Sequence, residues 1–121
     1  SQISNEDFRK ALEVSLSSQG LLTDNGQFNL TVTLLEVKQP MFGLDLQVST
    51  RVNYTIIDTN KGEIILDQII DAVHTATFSD ALVAATRLKM ANEGAGKNNI
   101  KKFLERLSNL SITASQLSIE K

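Results

Sequence analysis

From Leu44 to Phe78, apolar and polar residues alternate with few interruptions, and this alternation limits what the chain can fold into more than any other feature. Leu44, Leu46, Val48, Val52, Tyr54 and Ile56 share one parity; Asp45, Gln47, Ser49, Arg51, Asn53 and Thr55 share the other. A period of two marks an extended strand with one face buried. After "TNKG" (59–62), Ile64, Leu66, Ile70, Ala72, Ala76 and Phe78 resume the period. That tetrapeptide suits a type I turn with Gly62 in the bulge position. A hairpin closed there sets Ile56 opposite Leu66 and Tyr54 opposite Gln68, so the two core faces coincide, as register demands. An earlier run, Phe28, Leu30, Val32 and Leu34, has the same period and is separated by "KQPMFG" (38–43). Its phase changes after Leu34, which predicts a bulge that turns Leu35 and Val37 to the opposite face. Thirteen residues at ~3.3 Å each extend about 43 Å, so the strands are long.

Helical periods flank this region. Over residues 4–19, Ser4 and Asp7 form a capping box, with Ile3 and Phe8 at the staple positions. Phe8, Ala11, Leu12 and Leu16 make one stripe, and Gly20 is a C′ stop. "TDNGQ" (23–27) is a turn. A second helix is predicted over 81–110, capped by Ser79 or Asp80, with Leu88, Ala91, Ala95, Phe103 and Leu107 in a stripe and Ile100 beside it. At ~1.5 Å per residue it is about 45 Å long and matches the strands it covers. The tail 111–121 has Ile112, Leu117 and Ile119, a pattern equally suited to a short helix, an edge strand or a frayed end. The expected fold is α+β in the order α-β-β-β-α, a long antiparallel meander with both helices packed on one face. One domain is expected over 1–121.

"EGAGKNN" (93–99) invites comparison with phosphate-binding loops. A Walker loop requires G-x-x-x-x-G-K-[ST] between a strand and a helix. Here Ala91 takes the first glycine position, Asn98 follows Lys97, and the helical stripe runs through on both sides. A G-x-G-x-x-G fingerprint fails at Asn99. Gly94 and Gly96 are instead expected to let the helix backbone approach the sheet, each at a cost of about 1 kcal/mol relative to alanine.

Other chemistries lack their residues. The chain has no cysteine, which excludes disulfides, thiolate metal sites and cysteine nucleophiles. His74 is the single histidine, a poor basis for a transition-metal site, and its place on the strand face with Ile70, Ala72 and Ala76 suits a partly buried structural role. No G-x-S-x-G elbow occurs. Asp67 and Asp71, four apart on one strand face, stand ~13 Å apart, too far for a glycosidase pair. No catalytic, cofactor-binding or metal-binding residue is assigned, no cofactor is expected, and the expectation is a protein that is not an enzyme. A net charge of −2 and a pI near 5.3 give no overall nucleic-acid signal. No apolar run reaches the length of a transmembrane segment.

"FRKALEVSLSSQGLL", "VNYTIIDTNKGEII" and "TRLKMANEGAGKNNIKKFLERL" together resemble small proteobacterial periplasmic lipoproteins, a largely uncharacterised family. In pattern the chain is similar to the LptE-type lipopolysaccharide-assembly lipoprotein and to YajG-like lipoproteins. The resemblance implies a periplasmic domain that binds or assembles something, and it implies no chemistry. Such proteins carry a lipidated cysteine at the mature N-terminus. The corresponding expectation here is an anchor cysteine before Ser1 and a lipid tether to the outer membrane. The leading expectation is a noncatalytic envelope binding or assembly module. The alternatives are a structural homo-oligomer and a small enzyme acting on envelope glycolipid, the latter without a visible nucleophile–base pair.

Three surfaces are candidates for a partner, which is expected to be an envelope protein, a lipid or a glycolipid. The far face of the sheet carries Ile57, Ile65, Ile69 and Val73, more β-branched apolar residues than a solvated face needs. It suits a homo-oligomer, a partner or a lipid, while strand propensity alone accounts for some of these residues. Met41 and Phe42 lie at a loop tip, where they either fold back over the core or project as an apolar prong. The last helix carries Arg87, Lys89, Lys97, Lys101, Lys102 and Arg106 against Glu93 and Glu105, a net +4. It is either a solvated outer face or a surface for anionic lipid.

Overall fold

The structure, a computed structural model, describes residues 2–121. Helix α1 spans Asn5–Ser18. Ser4 caps it, its Oγ accepting the Asp7 N–H at 3.1 Å. Gly20, at φ 70°, ends it. The Gly20 N–H donates to Ser17 O and the Leu21 N–H to Leu16 O, the paired bonds of a Schellman stop. Phe8, Leu12 and Leu16 are buried.

The meander follows as β1 (Phe28–Lys38), β2 (Leu46–Asp58) and β3 (Glu63–Ala76), with antiparallel neighbours. The tail supplies β4 (Leu117–Ile119), which pairs parallel to β1 and gives the order β3-β2-β1-β4. Leu117 explains the docking of the tail as a strand: it is fully buried in the main core, and the Glu120 N–H donates to Leu30 O at 2.7 Å. The fold is therefore α+β, with an added parallel edge.

Ile56 lies opposite Leu66 and Tyr54 opposite Gln68, as the alternation demands, but the extra residue sits elsewhere than expected. Asp58 faces Glu63 across the turn, Ile57 faces Ile64, and the bulge falls at Ile65 instead of Gly62. Two assignments change as a result. Ile64 joins Ile57 on the far face and is exposed, whereas Ile65 is half-buried against the core beside Leu66. The bulge expected in β1 is present between Leu34 and Glu36, and Asn5 Oδ1 accepts the Leu34 N–H at 2.9 Å. It returns Val37 to the core face, opposite Thr50 and packed on the Leu46–Val48 cluster, and so corrects the expectation that Val37 joins the far face. Leu44 and Phe78 lie beyond the strand ends and are exposed, not core.

Helix α2 spans Ala84–Leu107 and crosses the same sheet face as α1. Its N-cap is Val83, with no side-chain cap. Asp80 does not cap it because its carboxylate accepts the Thr77 N–H at 2.7 Å in a separate turn. Ala91, Ala95, Ile100, Phe103 and Leu107 are buried as the stripe predicts. Phe103 stacks on Tyr54 with ring centroids 4.0 Å apart.

Two contacts bring α2 down onto the sheet. A Cβ at Gly94 would overlap the His74 ring, so only glycine lets the helix pass there. One turn on, fully buried Asn99 accepts from the Tyr54 hydroxyl at 2.7 Å and donates to Ile70 O at 2.9 Å and Thr50 Oγ1 at 3.2 Å. Thr50 Oγ1 lies 3.1 Å from Ala95 O as a donor. Burial pushes the Tyr54 hydroxyl well above its usual titration range, so it remains a donor. Gly96 faces α1 rather than the sheet: a Cβ there would sit 3.3 Å from Ile3 Cδ1, the mobile end of a side chain.

The two glycines should therefore respond oppositely. Gly94→Ala loses about 1–3 kcal/mol through overpacking, and His74→Ala in the same chain restores much of it. Gly96→Ala is neutral or gains up to about 1 kcal/mol from helix propensity. Urea melts of the four chains test this. Asn99→Ala, which leaves the buried Tyr54 hydroxyl without its acceptor, should cost about 1–3 kcal/mol in the same assay.

Candidate functional site

Two loops meet at one end of the sheet. Residues 39–45 join β1 to β2, and residues 77–83 join β3 to α2. Leu46 and Ala76 are cross-strand partners, which places the loop ends side by side. Asp45 Oδ1 then accepts the Phe78 N–H at 3.0 Å and ties one loop to the other. The first loop is also held to α2, where buried Asn92 donates to Gln39 Oε1 at 2.8 Å. The second is held from within: the Thr77 backbone and hydroxyl hold the exposed Asp80 carboxyl below its usual range.

Arg87 fixes the rest of the second loop. Its Nη1 donates to Ala81 O at 2.8 Å and Leu82 O at 3.0 Å, and its guanidinium lies 5.2 Å from the Phe78 ring centroid. The polar backbone thus turns inward to Arg87 while Leu82 and Val83 turn outward. Met41 is 95% exposed, Phe42 88% and Leu82 76%; Leu44, Val83 and Phe78 are exposed around them. A lone exposed apolar side chain is ordinary; six on two neighbouring loops joined by a hydrogen bond make this end a candidate contact surface. Burying a single such residue is worth roughly 1.5–3 kcal/mol.

The other candidates are placed differently. Ile57, Ile69 and Val73 do lie on the far face, with Ile57 half-buried and the other two exposed. Polar groups interrupt them: Arg51 Nε pairs with Asp71 at 2.8 Å, and Asp67 accepts from Asn53 at 3.0 Å and Thr55 at 3.2 Å. The hydrogen bond from Arg51 holds the Asp71 carboxyl below its usual range. The structure therefore separates Met41 and Phe42 from Ile57, Ile69 and Val73, and leaves Ile65 with the core. Of the basic residues on α2, Arg87 is buried and Lys102 donates to the edge carbonyl of Asp71, while neutral Asn98 donates to that of Val73.

"EGAGK" borders a cleft of about 570 Å³ between α1 and α2, with Ile3, Phe8, Ala11 and Gly96 on its lining. Asn92, the buried amide there, is already bonded to Ile3 N–H, Gln39 and Leu88 O. His74 packs on Gly94, and among the described residues no three His, Cys, Asp or Glu side chains form a metal-binding group. No helix among the described residues is long and apolar enough to cross a membrane.

Leu82 and Val83 escaped the sequence reading because they blend into the start of a helical stripe, as Leu44 and Phe78 blend into strand alternation. The legible signal is positional: "FSDALV" places three large apolar residues around the nearest helix-capping candidates.

No family model matches the chain, and no curated protein matches it in sequence. Solved structures share its fold. One described as a "putative lipoprotein from Caulobacter crescentus CB15" superposes with a TM-score of 0.62 at 16% identity, over 84% of this chain and 78% of that one. A minor lipoprotein from Acinetobacter baumannii gives 0.61 at 13% identity, over 91% and 89%. The hypothetical protein CT253 from Chlamydia trachomatis gives 0.60 at 12%, over 90% and 89%. At these identities the likeness establishes a common fold, one found in bacterial lipoproteins.

Proposed function

We propose that this chain is a noncatalytic envelope module that docks on a lipid surface through the apolar end formed by residues 39–45 and 77–83. The observation that carries the reading is the near-complete exposure of Met41 and Phe42 beside Leu82 and Val83, on loops held by hydrogen bonds. A lipid surface receives such side chains without requiring shape complementarity, and methionine and phenylalanine adapt to it at little conformational cost. The fold shared with lipoproteins supports an envelope setting, in the periplasm and tethered to the outer membrane. A second reading, self-association through the far face, rests on exposed Ile69 and Val73.

Met41→Ser/Phe42→Ser should melt within a few degrees of the parent, as exposed substitutions do, and bind phospholipid vesicles at least about 100-fold more weakly. Unchanged cosedimentation would refute docking through this end. Ile69→Lys should leave vesicle binding intact. If light scattering shows that the parent self-associates and Ile69→Lys does not, the far face is the oligomer interface.

A further inference from the structure

Arg87 is 4% exposed, yet among the described residues it forms no ion pair. Its Nη1 is taken by the carbonyls of Ala81 and Leu82, while its Nε–H is buried without an acceptor. A buried charge with no counterion is unfavourable enough that such groups are normally paired. The same guanidinium stands at the start of α2, because helical side chains tilt toward the N-terminus. That terminus is bare. Val83 provides no capping side chain, and no acidic residue occupies the first turn. The N–H groups of the first turn lack intrahelical acceptors, and the helix dipole is positive there. The unpaired Nε–H of Arg87, in the first turn of the helix, and the N–H groups of that turn are the kinds of donor that recognise a phosphate oxyanion.

We propose that Arg87 and the amino end of α2 form a phosphate site that takes the headgroup of an anionic phospholipid. The inference rests on the docking reading and adds the chemistry that is recognised. Leu82 and Val83 decide the source, since they stand exposed immediately before the site and require an apolar partner attached to the phosphate. A phospholipid has both parts in that order; a free phosphate ion has one. Phe78, itself half-exposed over the guanidinium, moves into the lipid on docking and opens Arg87 to the headgroup.

The test is a titration of the ¹⁵N-labelled chain with dihexanoyl-phosphatidylglycerol below its micelle concentration, with inorganic phosphate as the second probe. The lipid should shift the amides of Ala84, Ala85 and Thr86 and the Arg87 Nε–H, and inorganic phosphate should need at least about tenfold higher concentration to do the same. Arg87→Lys, which keeps the charge and loses the guanidinium fork, should weaken the lipid shifts about tenfold. Equal potency of the two probes would reduce the site to a free-phosphate site and overturn the lipid assignment. Absence of shifts at residues 84–87 in the parent chain would overturn the proposal even where Arg87→Lys fails to fold. Vesicle cosedimentation of the parent keeps the two readings apart. Binding without shifts at 84–87 leaves the docking reading standing and removes this one, and loss of both removes both.

Discussion

The contact on which the rest of this structure depends is the close passage of α2 over β3 and β2 at Gly94 and Asn99. Gly94 removes the Cβ that would strike His74, and Asn99 gives three buried partners on two strands a hydrogen bond each. Either alone is insufficient. Close approach without Asn99 leaves the Tyr54 hydroxyl buried and unpaired, and Asn99 cannot reach the Ile70 carbonyl if the helix rides higher. With α2 fixed, Phe103 stacks on Tyr54, Asn92 reaches Gln39, and Arg87 arrives behind Ala81 and Leu82. The position of both loops at the apolar end follows from the seating of one helix.

Much of this was legible. Period-two alternation gave three strands and the Ile56–Leu66 register, and Ser4 and Gly20 bounded the first helix because their cap chemistry is local. The failures share one cause: alternation identifies a face but not the position of an inserted residue. A bulge at Ile65 rather than Gly62 preserves every pairing beyond it and exchanges only Ile64 and Ile65. Likewise the bulge before Glu36 was foreseen, but its effect on Val37 was read with the wrong sign. Asn99 left a visible trace. The apolar stripe jumps from Ala95 to Phe103, and a polar residue in such a gap on a buried face is a candidate for a satisfied internal amide. The tail was undecidable from period alone, since three residues of strand depend on Leu117 finding the core.

The candidate site was half legible for a related reason. Met41 and Phe42 stand out because Pro40 and Gly43 break the pattern around them. Leu44, Phe78, Leu82 and Val83 continue the periodicity of their neighbours, and only the positions of the element ends reveal that they are loop residues. The loops keep these side chains outside by occupying their own polar groups. Buried Arg87 takes the Ala81 and Leu82 carbonyls from within, and exposed Asp45 and Asp80 take the Phe78 and Thr77 N–H groups from the solvent side. A frame that ties both loops by hydrogen bonds while leaving their apolar side chains in solvent is what the proposed docking requires.

The chain contains no tryptophan, so a single Phe42→Trp substitution reports on this end alone. Emission measured as phospholipid vesicles are added tests the central claim directly. Entry of the loop into the hydrocarbon predicts a blue shift together with quenching by lipids brominated on the acyl chain, while Ile69→Trp on the far face shows neither. Unshifted, unquenched emission from position 42 at saturating vesicles, or a blue shift from position 69 alone, would contradict the account.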